Sequence, residues 1–153
     1  MIKIKIGEQL PQFTSTTDKG APFTLDDLKG SPTILYFYPK DNTSGCTLEA
    51  CSLRDGRDEL AARGYKIVGV SPDSVKSHQN FCSKHELNFT LLADTDHSLA
   101  EALGLWRLKK MYGREYMGIV RTTLLLDSDA RVTHIIEKVD TKDAYGQIVR
   151  LLG

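Results

Sequence analysis

The sequence lacks several features that would assign it to a specialised class of protein. It has no net charge, since 20 lysine and arginine residues balance 20 aspartate and glutamate residues. It therefore lacks the basic surface expected of a general nucleic-acid-binding protein. No apolar run approaches the ~20 residues of a membrane-spanning helix. No internal repeat and no proline-, glycine- or serine-rich linker divides the chain, so we expect one domain over residues 1–153.

The amino terminus also lacks the uninterrupted apolar stretch of a signal peptide. Instead, residues 1–6 alternate between apolar and charged side chains, which predicts a β-strand. Hydrophobic residues make up 41% of the chain, enough for a core and against intrinsic disorder. We therefore expect a soluble, cytoplasmic protein.

Only three cysteines are present, and their spacing is unusual. An odd number in a chain of this length argues against a secreted disulfide framework. Cys46 and Cys51 are five residues apart, which is neither the C-x-x-C of dithiol centres nor the usual spacing of a zinc pair. Closely spaced cysteines in a reducing cytosol indicate redox or metal chemistry rather than a structural bond.

Strand and helix signals alternate along the chain, and this alternation predicts an α/β fold with a central mixed sheet. Trp106 and Tyr112, which lie between the later signals, are expected in the core or in a pocket wall. The predicted strands are 33–38, 66–70, 91–92, 122–126 and 131–136, and the predicted helices are 43–64, 71–87, 98–103 and 141–152.

Cys46 stands at the predicted start of a helix. If Thr43 is the N-cap, Cys46 is the third helical residue, and its sulfur lies beside the unpaired backbone N–H groups of the first turn. These donors and the positive end of the helix dipole stabilise a thiolate relative to a thiol. The pattern predicts a nucleophilic cysteine, with a small apolar residue at a helix start as the alternative.

The same segment resembles a known family. Pro39-x-x-x-Thr43-x-x-Cys46 matches the P-x-x-x-T-x-x-C signature of the peroxiredoxins. The flanking residues 37–43 and 45–51 resemble the subgroup called bacterioferritin comigratory protein, or peroxiredoxin Q. Residues 68–73, 110–113 and 118–123 are also similar to that subgroup. The resemblance covers most of the chain. It implies a thioredoxin-like fold, with a central mixed β-sheet flanked by helices, and a thiol peroxidase that reduces hydrogen peroxide and organic hydroperoxides.

The resemblance also implies roles for individual residues. Cys46 would be the peroxidatic cysteine, Thr43 would hydrogen-bond the peroxide and hold the thiolate, and Arg121 would place a guanidinium beside the sulfur. Pro39 would shield the pocket from water. Glu49 is expected near the helix start and Arg121, with a plain helix-surface charge as the alternative. A fixed cation stabilises a thiolate and the oxygen that gathers charge as the O–O bond breaks. No metal, haem or flavin is expected.

Two cysteines are candidates to resolve the sulfenic acid that peroxide would leave on Cys46. Cys51 stands where the subgroup often places its resolving cysteine, and Cys82 resembles a second version on the following helix. The prediction favours Cys51. Five helical residues separate two Cα atoms by roughly 8–9 Å, beyond the limit of about 7 Å for a disulfide. The first turns must therefore unwind in each cycle.

The resemblance further implies an external thiol reductant. Thioredoxin is the expected partner, with glutaredoxin or glutathione as alternatives, and the family tends to monomers. Pocket shape decides the preference among hydrogen peroxide, alkyl hydroperoxides and lipid hydroperoxides.

Two other functions remain open from the residues alone. His78, Cys82 and His85 fall on one stripe of a helix and could bind zinc with a fourth ligand from elsewhere. A protein disulfide oxidoreductase on the same fold is the second alternative. The absence of a C-x-x-C pair argues against it.

Ser44 departs from the subgroup pattern, which usually has proline before the Gly-Cys pair. With Thr43 as N-cap, position 44 is the first helical residue, where proline pre-sets the backbone angle. Serine leaves the loop freer in its open states. We predict that Ser44→Pro raises both the thermal stability and the rate of peroxide reduction. Unchanged values of both would contradict this prediction.

Overall fold

The chain folds into nine β-strands and four α-helices, and the computed structural model describes residues 1–153. No helix combines the length and the apolar character that a membrane-spanning segment requires. The strands are β1 (Thr14–Thr16), β2 (Pro22–Thr24), β3 (Thr33–Phe37), β4 (Lys66–Ser71), β5 (Thr90–Ala93), β6 (Trp106–Met111), β7 (Arg114–Ile119), β8 (Thr122–Leu126) and β9 (Val132–Ile136). The helices are α1 (Ser44–Ala62), α2 (Val75–His85), α3 (Ser98–Ala102) and α4 (Ala144–Leu152).

Five strands form the central sheet in the order β5-β4-β3-β8-β9. The pairs β3–β4 and β4–β5 are parallel, whereas β3–β8 and β8–β9 are antiparallel. The sheet is therefore mixed, and the predicted α/β class is confirmed. Two further pairs, β1–β2 and β6–β7, form separate two-stranded sheets.

The core lies on both faces of the central sheet, and β3 contributes to both. Successive strand residues point to opposite faces. Leu35 and Phe37 join one apolar cluster, while Ile34 and Tyr36 join a second cluster that also contains Cys46. All five residues of β3 are buried, which explains why its sequence is a continuous apolar run. The first turn of α1 is thus packed against the sheet through Cys46.

Gly69 occupies a point in β4 where the core leaves no room for a side chain. A Cβ atom there would lie 2.7 Å from Leu91 Cδ2 and 2.8 Å from Tyr36 Cζ. Overpacking a closed core costs about 1–3 kcal/mol. We predict that Gly69→Ala lowers the free energy of unfolding by about 2 kcal/mol, measured by urea denaturation. An unchanged midpoint and slope would contradict the close packing of these strands.

The boundary of α2 differs from the prediction, which opened this helix at Ser71. Ser71 is instead the last residue of β4, and its hydroxyl donates to Asp73 Oδ2 at 2.6 Å. The helix begins at Val75, capped by Ser74, whose hydroxyl accepts from the Ser77 N–H at 3.1 Å. The segment between strand and helix is therefore a turn built by side-chain hydrogen bonds.

The predicted strand over residues 1–6 is wrong. This segment has no strand partner and is irregular. Its alternation does not correspond to one buried face, because Ile4 is buried whereas Ile6 is 64% exposed. Its tertiary contact includes a hydrogen bond from the Lys3 N–H to the Leu103 carbonyl at 2.8 Å.

The hairpin of β6 and β7 was not predicted. Its turn is formed by Tyr112 and Gly113, both with positive φ, as in the two-residue turns that suit hairpins. The prediction that Tyr112 lies in the core or a pocket wall is wrong, since it is 98% exposed. Trp106 does pack against the core, and its ring stacks on His97 at a centroid distance of 3.9 Å. The hairpin ends two residues before Arg121.

Candidate active site

Cys46 lies in the first turn of α1, on the loop and helix that follow β3. Thr43 is the N-cap, with extended backbone angles (φ −82°, ψ 154°), and Ser44 is the first helical residue. The helix thus starts where the sequence predicts it. Cys46 is 1% exposed, so its sulfur is shielded from bulk water beside a helix end whose N–H groups have no helical partner.

Arg121 joins Cys46 to a buried carboxylate. Its Nη2–H donates to Cys46 Sγ at 3.3 Å, and its Nη1–H donates to Glu49 Oε1 at 2.6 Å. Cys46 and Glu49 are three residues apart on α1, so they lie on the same helix face. The next residue, Thr122, opens β8 and pairs with Phe37 of β3. The sheet therefore fixes the backbone that directs this guanidinium.

The charges of the site reflect its burial. Burial raises the pKa of Glu49 to about 7, against the opposing positive charge and hydrogen bond of Arg121. Its second oxygen, Oε2, is buried without a hydrogen-bond partner. Burial alone would lower the pKa of Arg121, but the negative charges of Glu49 and Cys46 raise it. The guanidinium therefore stays charged throughout the working pH range.

The raised pKa of Glu49 predicts a pH-dependent stability. Between about pH 4.5 and pH 7 the folded chain keeps a proton that the unfolded chain releases. The proton on Glu49 therefore contributes to the free energy of unfolding. This contribution is fully present below about pH 4.5 and is lost as the pH rises through about 7. The steepest slope is about 1.4 kcal/mol per pH unit.

The matched comparison is Glu49→Gln, which cannot titrate. Across this window we expect the free energy of unfolding to fall more steeply with rising pH in the wild type than in the variant. Urea denaturation at several pH values measures both slopes. Equal slopes would contradict a Glu49 proton held by the fold.

Thr43 and Pro39 occupy the loop that leads into α1. The Thr43 hydroxyl donates to the Lys40 carbonyl at 2.8 Å and does not cap a helical N–H group. None of its hydrogen bonds reaches Cys46, so the expected contact with the sulfur is not made in this state. The hydroxyl oxygen remains able to accept a hydrogen bond. Pro39 is half-buried at the start of the same loop.

A buried polar network fastens this loop, and sequence reasoning missed it. Asp41, only 4% exposed, accepts from the Tyr38 hydroxyl at 2.6 Å and from the Ser77 hydroxyl at 2.8 Å. Its second oxygen also lies 2.7 Å from His78 Nδ1. The Asp41 backbone N–H donates to Asp73 Oδ2 at 2.8 Å. One feature of the sequence could have indicated this network. His78 lies one turn before Phe81 and Cys82, on the apolar side of its helix, where a polar side chain needs a buried hydrogen-bond partner.

Comparisons with known proteins agree with this geometry. The model of the AhpC/TSA family matches residues 6–135. The peroxiredoxin Bcp of Bacillus subtilis is 46% identical over 149 residues, covering 97% of this chain and 95% of the relative. The chain is a peroxiredoxin of the AhpC/TSA family. It is accordingly a thiol-dependent peroxidase, which acts on a peroxide and needs a thiol reductant.

Further relatives of this peroxiredoxin fall in the same subgroup. The peroxiredoxin Bcp of Escherichia coli is 37% identical over 152 residues, covering 99% of this chain and 97% of the relative. A structure of the bacterioferritin comigratory protein of Xanthomonas campestris, from work on its alkyl peroxide reduction activity, has a TM-score of 0.87 and 33% identity. That match covers 99% of this chain and 97% of the other. The thioredoxin-like fold is confirmed.

The zinc alternative for this peroxiredoxin is wrong. Both ring nitrogens of His78 are occupied, Nδ1 by Asp41 and Nε2 by the Leu92 carbonyl at 2.9 Å. The only three metal-ligating groups that lie within 4.8 Å of one another are Asp41, Asp73 and His78. Cys82 and His85 are not among them, so the predicted ligand set does not come together.

All three cysteines of the peroxiredoxin are free thiols. Cys46 and Cys51 lie five residues apart in the uninterrupted helix α1, so the helix must open before they can bond. Cys51 is half-buried and lines a surface cavity of about 460 Å³ with Lys142 and Tyr145. No C-x-x-C centre exists, so the disulfide-oxidoreductase alternative gains no support.

Cys82 lies on α2 and packs against the same apolar cluster that contains Cys46. Burial raises the pKa of Cys82 to about 12, and the negative charges of Asp18 and Asp41 and a hydrogen bond with Asp18 raise it in the same direction. At neutral pH this thiol is therefore protonated in the folded peroxiredoxin, which limits its nucleophilicity.

Lys109 is a second cation near the site that sequence reasoning did not single out. It is half-buried on β6, and its side chain lies across Gly118 of β7, where a Cβ would be 3.3 Å from Lys109 Cδ. Burial lowers the pKa of Lys109, and the positive charge of Arg121 lowers it further. The charge interaction with Cys46 acts in the opposite direction and raises it. The pairing of β6 with β7, which the sequence did not predict, places the Lys109 side chain across Gly118.

Proposed function

We propose that this peroxiredoxin reduces hydrogen peroxide and organic hydroperoxides with the Cys46 thiolate as its nucleophile. The observation that carries the proposal is the 3.3 Å hydrogen bond from Arg121 Nη2 to Cys46 Sγ in the first turn of α1. A fixed cation and a helix N-terminus are the two environments that most favour a reactive thiolate. Cys46 has both.

The first step forms one bond and breaks one. The Cys46 sulfur attacks an oxygen of the peroxide ROOH, an S–O bond forms, and the O–O bond breaks. The leaving alkoxide or hydroxide takes a proton and departs as an alcohol or water, while Cys46 becomes a sulfenic acid. Arg121 stabilises the oxygen that gathers negative charge. The Thr43 hydroxyl accepts a hydrogen bond from the incoming peroxide, and Pro39 excludes water from one side.

The second step resolves the sulfenic acid through Cys51. The first turns of α1 unwind, the Cys51 sulfur attacks the Cys46 sulfur, and a disulfide forms with loss of water. Cys51 is half-exposed, whereas burial and nearby carboxylates keep the Cys82 thiol protonated. These environments support the choice of Cys51. Cys82 remains the alternative resolving cysteine.

An external thiol reductant then supplies two thiol groups, which reduce the disulfide by thiol–disulfide exchange, restore both cysteines and become a disulfide themselves. We assign this role to thioredoxin because of the similarity to the subgroup, with glutaredoxin or glutathione as alternative reductants. We place the protein in the cytoplasm, where a reducing environment keeps cysteines as thiols, and propose that it acts as a monomer.

The test is a single-turnover titration with one equivalent of hydrogen peroxide. The wild type should consume the peroxide and lose two free thiols per molecule, whereas Cys46→Ser should consume none. Circular dichroism checks that the variant is folded, since serine is nearly isosteric with cysteine. Equal peroxide consumption by the two proteins would overturn the role of Cys46.

A further inference from the structure

We infer that Asp41 is a positioning residue that fastens the loop before α1 and thereby limits how readily Cys46 leaves its peroxide-reactive place. The inference rests on the proposed function, because it concerns the change between the folded and the unwound first turn of α1. The group that holds Asp41, here called the Asp41 anchor, consists of Tyr38, Ser77, His78 and Asp73.

The anchor joins the loop to three other parts of the fold. Tyr38 follows β3, Asp73 follows β4, and Ser77 and His78 lie on α2. No group of α1 takes part. The side chains of Asp41 and His78 are 1% and 0% exposed, so these hydrogen bonds form away from competing water. These contacts therefore fix the residue from which the chain enters the first turn of α1, and they restrict how far that turn can move away from Arg121.

The charge state of the anchor follows from its geometry. Nδ1 of His78 faces a carboxylate oxygen of Asp41, and Nε2 faces the carbonyl of Leu92. Both partners are acceptors, so only the doubly protonated imidazolium donates to both. Burial alone would lower the pKa of His78, but the hydrogen bond and charge of Asp41 raise it above its ordinary value. The anchor is thus a buried ion pair with every side-chain donor used.

The chain directly after Asp41 is held much less firmly. Asn42, Thr43 and Ser44 are exposed, and the side-chain hydrogen bond of Thr43 is local, to Lys40. Asn42 has φ +63°, in the left-handed region that asparagine adopts more readily than other non-glycine residues, as is typical of a turn. The boundary between fastened and loose chain therefore falls between residues 41 and 42, just before the turn that must unwind.

Weakening the Asp41 anchor should therefore change the rates of the two chemical steps in opposite directions. Oxidation by peroxide requires Cys46 beside Arg121 in the wound turn, whereas disulfide formation requires it released. A weaker anchor lets the loop follow the helix end and lowers the population of the wound state. The rate of sulfenic acid formation should then fall while the rate of disulfide formation rises.

The test compares Asp41→Asn with Asp94→Asn. Asp94 is also a buried carboxylate, but it accepts from the N–H groups of Leu99 and Ala100 at α3. Rapid mixing with hydrogen peroxide, followed by thiol and disulfide quantification, gives both rate constants. We expect Asp41→Asn to lower the first and raise the second, changing their ratio roughly 10-fold, the factor that one charge-assisted hydrogen bond supplies. Asp94→Asn should leave the ratio unchanged.

Ser77→Ala provides the same test with less risk to folding, because it removes one donor and leaves the ion pair intact. In Ser77→Ala, the ratio of the rate constants for sulfenic acid formation and disulfide formation should change in the same direction as in Asp41→Asn, by a smaller factor. The inference is overturned if both rate constants fall together, if the ratio equals that of the wild type, or if Asp94→Asn changes it equally. Failure of the proposed function is distinct, since the wild type itself would then form no sulfenic acid on Cys46.

Discussion

Replacing Arg121 with lysine is expected to lower the second-order rate constant for oxidation of Cys46 by hydrogen peroxide by about 100-fold. The guanidinium reaches two partners with separate nitrogens, Glu49 Oε1 at 2.6 Å and Cys46 Sγ at 3.3 Å. A lysine ammonium is a single, strongly hydrated point charge without this planar fork. Drawn to the buried carboxylate, it leaves the sulfur and the departing oxygen without their donor.

Stopped-flow oxidation under pseudo-first-order conditions measures this effect. Arg57→Lys is the matched control, because Arg57 lies on α1 but pairs with Asp58 at the surface, where ion pairs contribute little. That variant should react like the wild type. A similar rate constant in Arg121→Lys would mean that positive charge alone is sufficient at this position and would refute the two-point geometry.

Loss of Cys51 is expected to abolish thioredoxin-supported turnover while leaving the first oxidation of Cys46 intact. In Cys51→Ser the sulfenic acid has no partner on α1, so excess peroxide should drive Cys46 to the sulfinic acid. Turnover in Cys82→Ser should match the wild type, because the buried Cys82 thiol is protonated at neutral pH.

Peptide mapping by mass spectrometry after one equivalent of peroxide identifies the bonded pair. We expect a Cys46–Cys51 disulfide in the wild type and in Cys82→Ser. A Cys46–Cys82 disulfide in the wild type, together with full turnover in Cys51→Ser, would instead assign resolution to Cys82. The rearrangement would then involve α2 as well as α1.

The sequence predicted best those features that depend on neighbouring residues. The continuous apolar run of β3 and the N-cap of α1 at Thr43 are local patterns, and both are where they were expected. Even the correct fold class followed from the order of such local signals. The boundary of α2 was less well predicted because both Ser71 and Ser74 are suitable N-cap residues. The Ser71 hydroxyl accepts from the Asp73 N–H in a turn, and the Ser74 hydroxyl caps the helix by accepting from the Ser77 N–H.

Features that depend on distant pairing could not be derived from spacing. Asp41 and His78 are 37 residues apart, and only the fold brings their side chains together. The hairpin of β6 and β7 was missed because most of its side chains face solvent, so no buried stripe marks its period. The place of Arg121 was expected only through resemblance to a family, not through any pattern in its own neighbourhood.

The separation between Cys46 and Arg121 has a consequence for the synthesis of the chain. The sulfur precedes its guanidinium by 75 residues, and β3 cannot pair with β8 until that later segment exists. A growing polypeptide on the ribosome therefore contains Cys46 long before it contains Arg121. The hydrogen bond from Arg121 to the Cys46 sulfur can therefore form only when the final third of the protein has been translated and folded.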